Sequence, residues 1–127
     1  MAMTEGSGQA AKFVAVEDAG ALEELFARSG DAPVVLFKHS TTCPISARAH
    51  RQMSQLDRAV APEVALVVVQ SAREVSMQLA ERTGIRHESP QVIVLRGGEP
   101  VWSATHYDIT SEAVESALRE KGNGDRA

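Results

Sequence analysis

A chain of 127 residues, 43% hydrophobic and 24% charged, is long enough for one domain with its own core and has an ordinary globular composition. Its formal net charge of -4, with no long basic run, leaves nucleic-acid binding without an electrostatic footprint. One cysteine excludes an internal disulfide framework, and no apolar run approaches the ~20 residues that span a bilayer. The first residues lack a basic-then-apolar signal pattern, so a cytoplasmic location is expected.

Residues 1–11 are small and polar and read as a disordered tail ahead of a single domain over 12–121. Residues 13–16 are a candidate first strand. Asp18 suits the N-cap of a helix to about Ser29, with Leu22, Leu25 and Phe26 inward. Gly30 and Asp31 close it, and Pro33 leads into a β-branched run, 34–37, of the kind that forms a buried strand. A polar turn over 39–42 precedes Cys43-Pro44. Ile45, Ala49, Met53, Leu56 and Val60 then recur at helical spacing, which predicts a helix to about Val60, bounded by Pro62. Residues 64–69 form an aliphatic run, a strand buried on both faces. A helix over 73–82 follows, through Val75, Leu79 and Ala80, stopped by Gly84. Residues 91–95 and 100–104 are strands joined by a Gly97-Gly98 hairpin turn. Thr110 or Ser111 caps a last helix through Val114, Ala117 and Leu118, ended by Gly122, and 122–127 is a frayed tail. The order β-α-β-α-β-α-β-β-α predicts an α/β fold: a mixed central sheet with helices on both faces.

Cys43 therefore sits where a helix leaves the end of a buried strand. Pro44 suits the first helical position, where the missing N–H costs nothing. Unpaired N–H groups and the helix dipole favour negative charge there, so a thiolate is stabilised, and the thiolate is the form that attacks disulfides. Ser40, Thr41, Thr42 and Ser46 add hydroxyls, and Lys38 and His39 add charge nearby. The plainer alternative is a cysteine used as core filler.

The segment His39-Ser-Thr-Thr-Cys-Pro-Ile-Ser46, together with His87-Glu-Ser-Pro-Gln-Val92 and Thr105-His-Tyr-Asp-Ile-Thr110, resembles the YtxJ-type monothiol bacilliredoxins of the thioredoxin-like superfamily. The resemblance covers about residues 12 to 120. It implies a thioredoxin-like fold and a cytoplasmic monothiol thiol-disulfide oxidoreductase. Such a protein removes bacillithiol from mixed disulfides on client proteins, with bacillithiol as co-substrate and no bound cofactor. Cys43 matches the active-site cysteine, with Thr42 and Pro44 flanking it. Ser46 stands where a dithiol relative has its resolving cysteine; its hydroxyl can hydrogen-bond a thiolate but cannot close a disulfide. Pro90 matches the proline kept cis beside the cysteine, which would leave the Ser89 backbone free to pair with a client strand. Bacillithiol bears carboxylates, for which Lys38, His39 and Arg48, with His50 and Arg51, are candidate partners. A solvated helix face is the plainer reading of Arg48 and Arg51, and a packing role that of His39.

His87, His106 and Asp108 make no recognised metal-ligand pattern with Cys43 and read as turn residues, so no metal site is expected. Trp102, Met53 and Met77 read as packing residues. Two other functions fit a monothiol site. One is a redox sensor or docking protein without turnover, in which oxidised Cys43 awaits an outside thiol. The other is an iron–sulfur cluster held between two subunits, although Pro44-Ile45 replaces the Gly-Phe of the loop that does this in monothiol glutaredoxins.

Overall fold

The computed structural model describes residues 10–120, so the Gly122 stop, the tail expected at 122–127 and all but the last two residues of the tail expected over 1–11 lie outside them. Five strands and four helices follow in the expected order: β1 (Lys12–Ala15), α1 (Ala19–Arg28), β2 (Val34–His39), α2 (Pro44–Met53), β3 (Glu63–Val68), α3 (Arg73–Thr83), β4 (Gln91–Arg96), β5 (Glu99–Thr105) and α4 (Ser111–Glu120). A single 3₁₀ turn, His106–Asp108, links β5 to α4.

The sheet order is β1-β3-β2-β4-β5, parallel through β1, β3 and β2 and antiparallel from β2 to β4 and from β4 to β5. Strand periodicity sorts the core into two halves. Val35, Phe37, Val64, Val92 and Val94 face Ala49 and Met53 of α2 and Val114 and Leu118 of α4. Leu36, Ala65, Val67, Ile93 and Leu95 face Leu22, Leu25 and Phe26 of α1 and Val75 and Leu79 of α3. Helices thus cover both faces, and the runs on β2 and β4 are apolar at nearly every position because both faces are buried.

Local signals set most ends. Asp18 caps α1 by accepting the Ala21 N–H at 2.8 Å. Thr110 Oγ1 accepts the Ala113 N–H at 3.0 Å and caps α4. Gly84 ends α3 at φ 73°, and Gly97 and Gly98 make the hairpin turn at φ 64° and 79°, a region L side chains resist. Ser29, fully buried at the end of α1, receives that turn: its Oγ takes the Gly98 N–H at 2.8 Å and its carbonyl the Gly97 N–H. Trp102 pairs with Val94 and packs on the α2/α4 half of the core.

Three expectations need correction. The cysteine helix ends at Met53, not near Val60. Ser54 turns its hydroxyl back onto the His50 carbonyl at 2.7 Å, and the Asp57 carboxylate takes the Ala59 N–H at 2.9 Å, an alternative to helical pairing. Leu56 still reaches the core and Val60 packs against it, which is why their spacing looked helical. The fold begins before residue 12: Ala10 bridges Asp57, and Ala11 is buried with its N–H on the Leu56 carbonyl. Met77 is 52% exposed because α3 turns Val75, Ser76 and Leu79 inward.

Candidate active site

Gln91 pairs with Lys38, so β4 starts at the edge of the sheet where β2 ends. That register brings the loop before β4 and the turn after β2 to one end of the molecule. Cys43, partly exposed, occupies the N-cap of α2 with extended backbone (φ -106°, ψ 124°), and its carbonyl takes the Ala47 N–H at 3.0 Å. Pro44 is in the first turn, as expected. An N-cap side chain reaches the N–H groups of the second and third helical residues, here Ile45 and Ser46, and the cysteine sulfur makes no hydrogen bond of its own in the described structure. The sulfur thus has solvent access and lies at the positive end of a helix.

Ser46 does not serve that sulfur. It is fully buried, its Oγ accepts the Ser40 N–H at 2.9 Å and lies 2.8 Å from His39 Nδ1. This hydroxyl therefore fastens the first turn of α2 to the end of β2. His39 braces the same joint: it is 9% exposed and its ring lies 4.9 Å from that of His50 and 5.3 Å from that of Phe37. Burial, then the neighbouring His50, holds its pKa below the ordinary value, which favours the neutral ring. Nδ1 is thus committed to Ser46, and the ring packs as part of this joint.

The turn is clamped from outside by Gln70, a residue the sequence did not single out. Its Oε1 accepts the Thr41 N–H at 3.2 Å, and its Nε2 donates to Ser40 Oγ at 3.0 Å and to Thr42 Oγ1 at 3.2 Å. The available signal was a polar residue just after an aliphatic strand running parallel to β2, hence at the same end of the sheet. Gln70→Ala should cost about 1–2 kcal/mol of stability from the lost bonds and slow thiol exchange at Cys43 more than it lowers the melting temperature suggests. Denaturant titration and exchange rates on one preparation check both parts.

The Ser89-Pro90 bond is cis, as the resemblance implied. The Pro90 carbonyl takes the His106 N–H at 3.2 Å, tying the loop to the 3₁₀ turn. Among the described residues the Ser89 backbone N–H and carbonyl have no partner, and its Oγ is buried without one. His106 makes this contact at φ 54°, unusual for a residue with a side chain.

The candidate cations separate. Arg48 lies on the side of α2 that faces this turn: Nη1 donates to the Ile109 carbonyl at 3.2 Å, and the guanidinium sits 5.5 Å from the Tyr107 ring centroid. It is held rather than freely solvated, and Tyr107 beside it is 63% exposed. Arg51 is exposed and, with His39, Thr41, Ala47 and His50, lines an open cleft of about 300 Å³ on another side of α2. Lys38 is fully buried on the α3 face of the sheet, because strand alternation points it away from α2, and so cannot grip a ligand at Cys43. No group of three or more metal-ligating side chains forms among the described residues, and none of their helices is long and apolar enough to cross a membrane.

A family model described as "Monothiol bacilliredoxin BrxC" matches residues 14–114. Among solved structures, one described as a candidate oxidoreductase with a thioredoxin fold is 30% identical, with a TM-score of 0.76, covering 83% of this chain and 92% of its own. Thioredoxin from Schistosoma mansoni is similar in fold at 18% identity and a TM-score of 0.69, covering 87% of this chain and 98% of its own. A Halobacterium salinarum thioredoxin variant matches at 16% identity and a TM-score of 0.66, covering 87% and 91%. With one cysteine at the head of α2 and a serine one turn on, the chain belongs to the monothiol bacilliredoxins, thiol oxidoreductases of the thioredoxin fold.

Proposed function

We propose that this protein removes bacillithiol from mixed disulfides on client proteins in the cytoplasm, with Cys43 as the only nucleophile, bacillithiol as co-substrate and no bound cofactor. The observation that carries the reading is the partly exposed Cys43 at the N-cap of α2, at the same end of the sheet as the unpartnered Ser89 backbone, with no second cysteine in the chain. In the first step the Cys43 thiolate attacks the bacillithiol sulfur of the mixed disulfide. A Cys43–bacillithiol disulfide forms, the old S–S bond breaks, and the client leaves as its thiolate. In the second step a free bacillithiol thiolate attacks the bacillithiol sulfur on Cys43. It releases bacillithiol disulfide and restores the Cys43 thiolate, so one free bacillithiol is consumed for each client mixed disulfide reduced.

The client segment pairs with the free backbone of Ser89, as an added strand. Arg48, held beside Tyr107 on the side of α2 facing His106 and the Pro90 loop, receives a bacillithiol carboxylate. The reading is tested by turnover: with mixed-disulfide client in large excess and free bacillithiol supplied, each protein molecule should release many client thiols. Release that stops at one per protein would instead identify a sensor without turnover.

Ser46→Cys should convert the cycle. The new thiol stands one helical turn from Cys43, so mild oxidation should consume both thiols within one chain. Release of bacillithiol from Cys43 should then need no second bacillithiol, and an added dithiol reductant reopens the internal disulfide. Thiol titration and mass spectrometry read this directly; two free thiols persisting after oxidation would mean the side chains do not meet.

A further inference from the structure

On the face of the sheet opposite Cys43 lies a buried polar cluster that the proposed chemistry leaves unused. The Lys38 ammonium is fully enclosed, and its one hydrogen bond is a long contact of 3.4 Å to the Ser76 carbonyl in the first turns of α3. Directly across the ladder stands Gln91, 1% exposed, whose Nε2 donates to the Arg86 carbonyl at 3.0 Å while its Oε1 has no partner. Ser76 Oγ and His87 Nδ1 are buried without partners as well. An ammonium with three donors therefore lies near the unpaired Gln91 Oε1 acceptor and other unpartnered polar atoms on α3 and the 85–90 loop. Buried polar atoms seldom stay unpaired, so this arrangement calls for a role.

We infer that Lys38 is a positioning residue: enclosed across the ladder from Gln91, whose side chain holds the Arg86 carbonyl, it fixes the stance of the loop that carries Ser89 and Pro90. The inference rests on the reading of that loop as the client-binding element. Lys38 reaches the reaction only through the loop, from the face of the sheet that α2 does not cover. The charged groups acting on it are few. Glu88 on the loop favours its protonated form without touching it, and burial opposes that form, bringing its pKa to about 8. His87 is held below its ordinary value by its own burial and then by the Lys38 charge. From α3 it meets the Ser76 backbone, and from β4 the neutral Gln91. As pH rises through about 8 Lys38 loses its charge in the space it shares with Gln91.

The test is an NMR titration of the full chain, wild type against Lys38→Met and Glu88→Gln, which needs no turnover and no client. In the wild type the Glu88, Ser89 and Gln91 amides should share one inflection near pH 8. Lys38→Met should abolish it and raise the His87 pKa, while Glu88→Gln should move it to lower pH. Loop amides flat across that range, or titrating unchanged in Lys38→Met, overturn the inference whatever the enzyme assay shows. With client mixed disulfide, Lys38→Met should raise KM several-fold while Cys43 reacts with iodoacetamide at the wild-type rate. An unchanged KM in Lys38→Met would leave Lys38 a structural group only and overturn the positioning role.

Discussion

Cys43→Ser is expected to abolish de-bacillithiolation, by roughly a thousandfold or more, while leaving the fold intact. The chain holds no second cysteine to substitute for it, and the buried Ser46 hydroxyl is committed to His39 and Ser40. The serine at position 43 keeps the N-cap geometry and even improves it, because its hydroxyl is a better acceptor for the Ile45 and Ser46 N–H groups than sulfur. Melting temperature should therefore stay level or rise slightly as activity disappears. Measured release of client thiol above background in Cys43→Ser would overturn the single-nucleophile account.

The second large effect is one of stability. Lys38→Met should make the protein more stable at pH 7, by up to about 3 kcal/mol, the equivalent of a lysine pKa lowered from 10.5 to about 8. The unfolded chain holds the Lys38 proton more tightly than the folded one. Below pH 8 both forms are protonated and the whole cost of burying the charge is present. Between about pH 8 and 10.5 the folded protein sheds the proton first, so wild-type stability rises with pH over that window. Urea denaturation should find this contribution about 1 kcal/mol more favourable at pH 9 than at pH 7 in the wild type, and absent in Lys38→Met. A variant less stable than the wild type at pH 7 would show that the ammonium is better solvated inside than its single long hydrogen bond implies.

Much of this molecule was legible in the sequence because its signals are local. Asp18, Thr110, Gly84 and the Gly97-Gly98 pair each set an element's end through backbone chemistry that neighbours cannot easily override. The aliphatic runs on β2 and β4 announced strands covered on both faces. The errors arose where a residue's meaning depends on a distant partner. Leu56 and Val60 kept helical spacing, but the Asp57 turn and the contacts of Asp57 with Ala10 and Glu115 end the helix early. Lys38 was adjacent to the site in sequence, yet strand alternation turned it to the other face. Gln70 lies 27 residues beyond Cys43 and reaches the site only because β3 runs beside β2. Cys43 was legible from its place between a buried strand and a Pro-led helix, and Pro90 through a resemblance; what the structure adds is the joint that holds the cysteine's helix to the sheet, built from Ser46, His39 and Ser40.

The most direct test of the central claim is intact-protein mass spectrometry after mixing the reduced protein with a bacillithiolated client and no free bacillithiol. The account predicts one bacillithiol on Cys43 for each client thiol released, with the adduct discharged when free bacillithiol is added. A disulfide between Cys43 and the client itself, or an unmodified Cys43 beside an intact client disulfide, would contradict it.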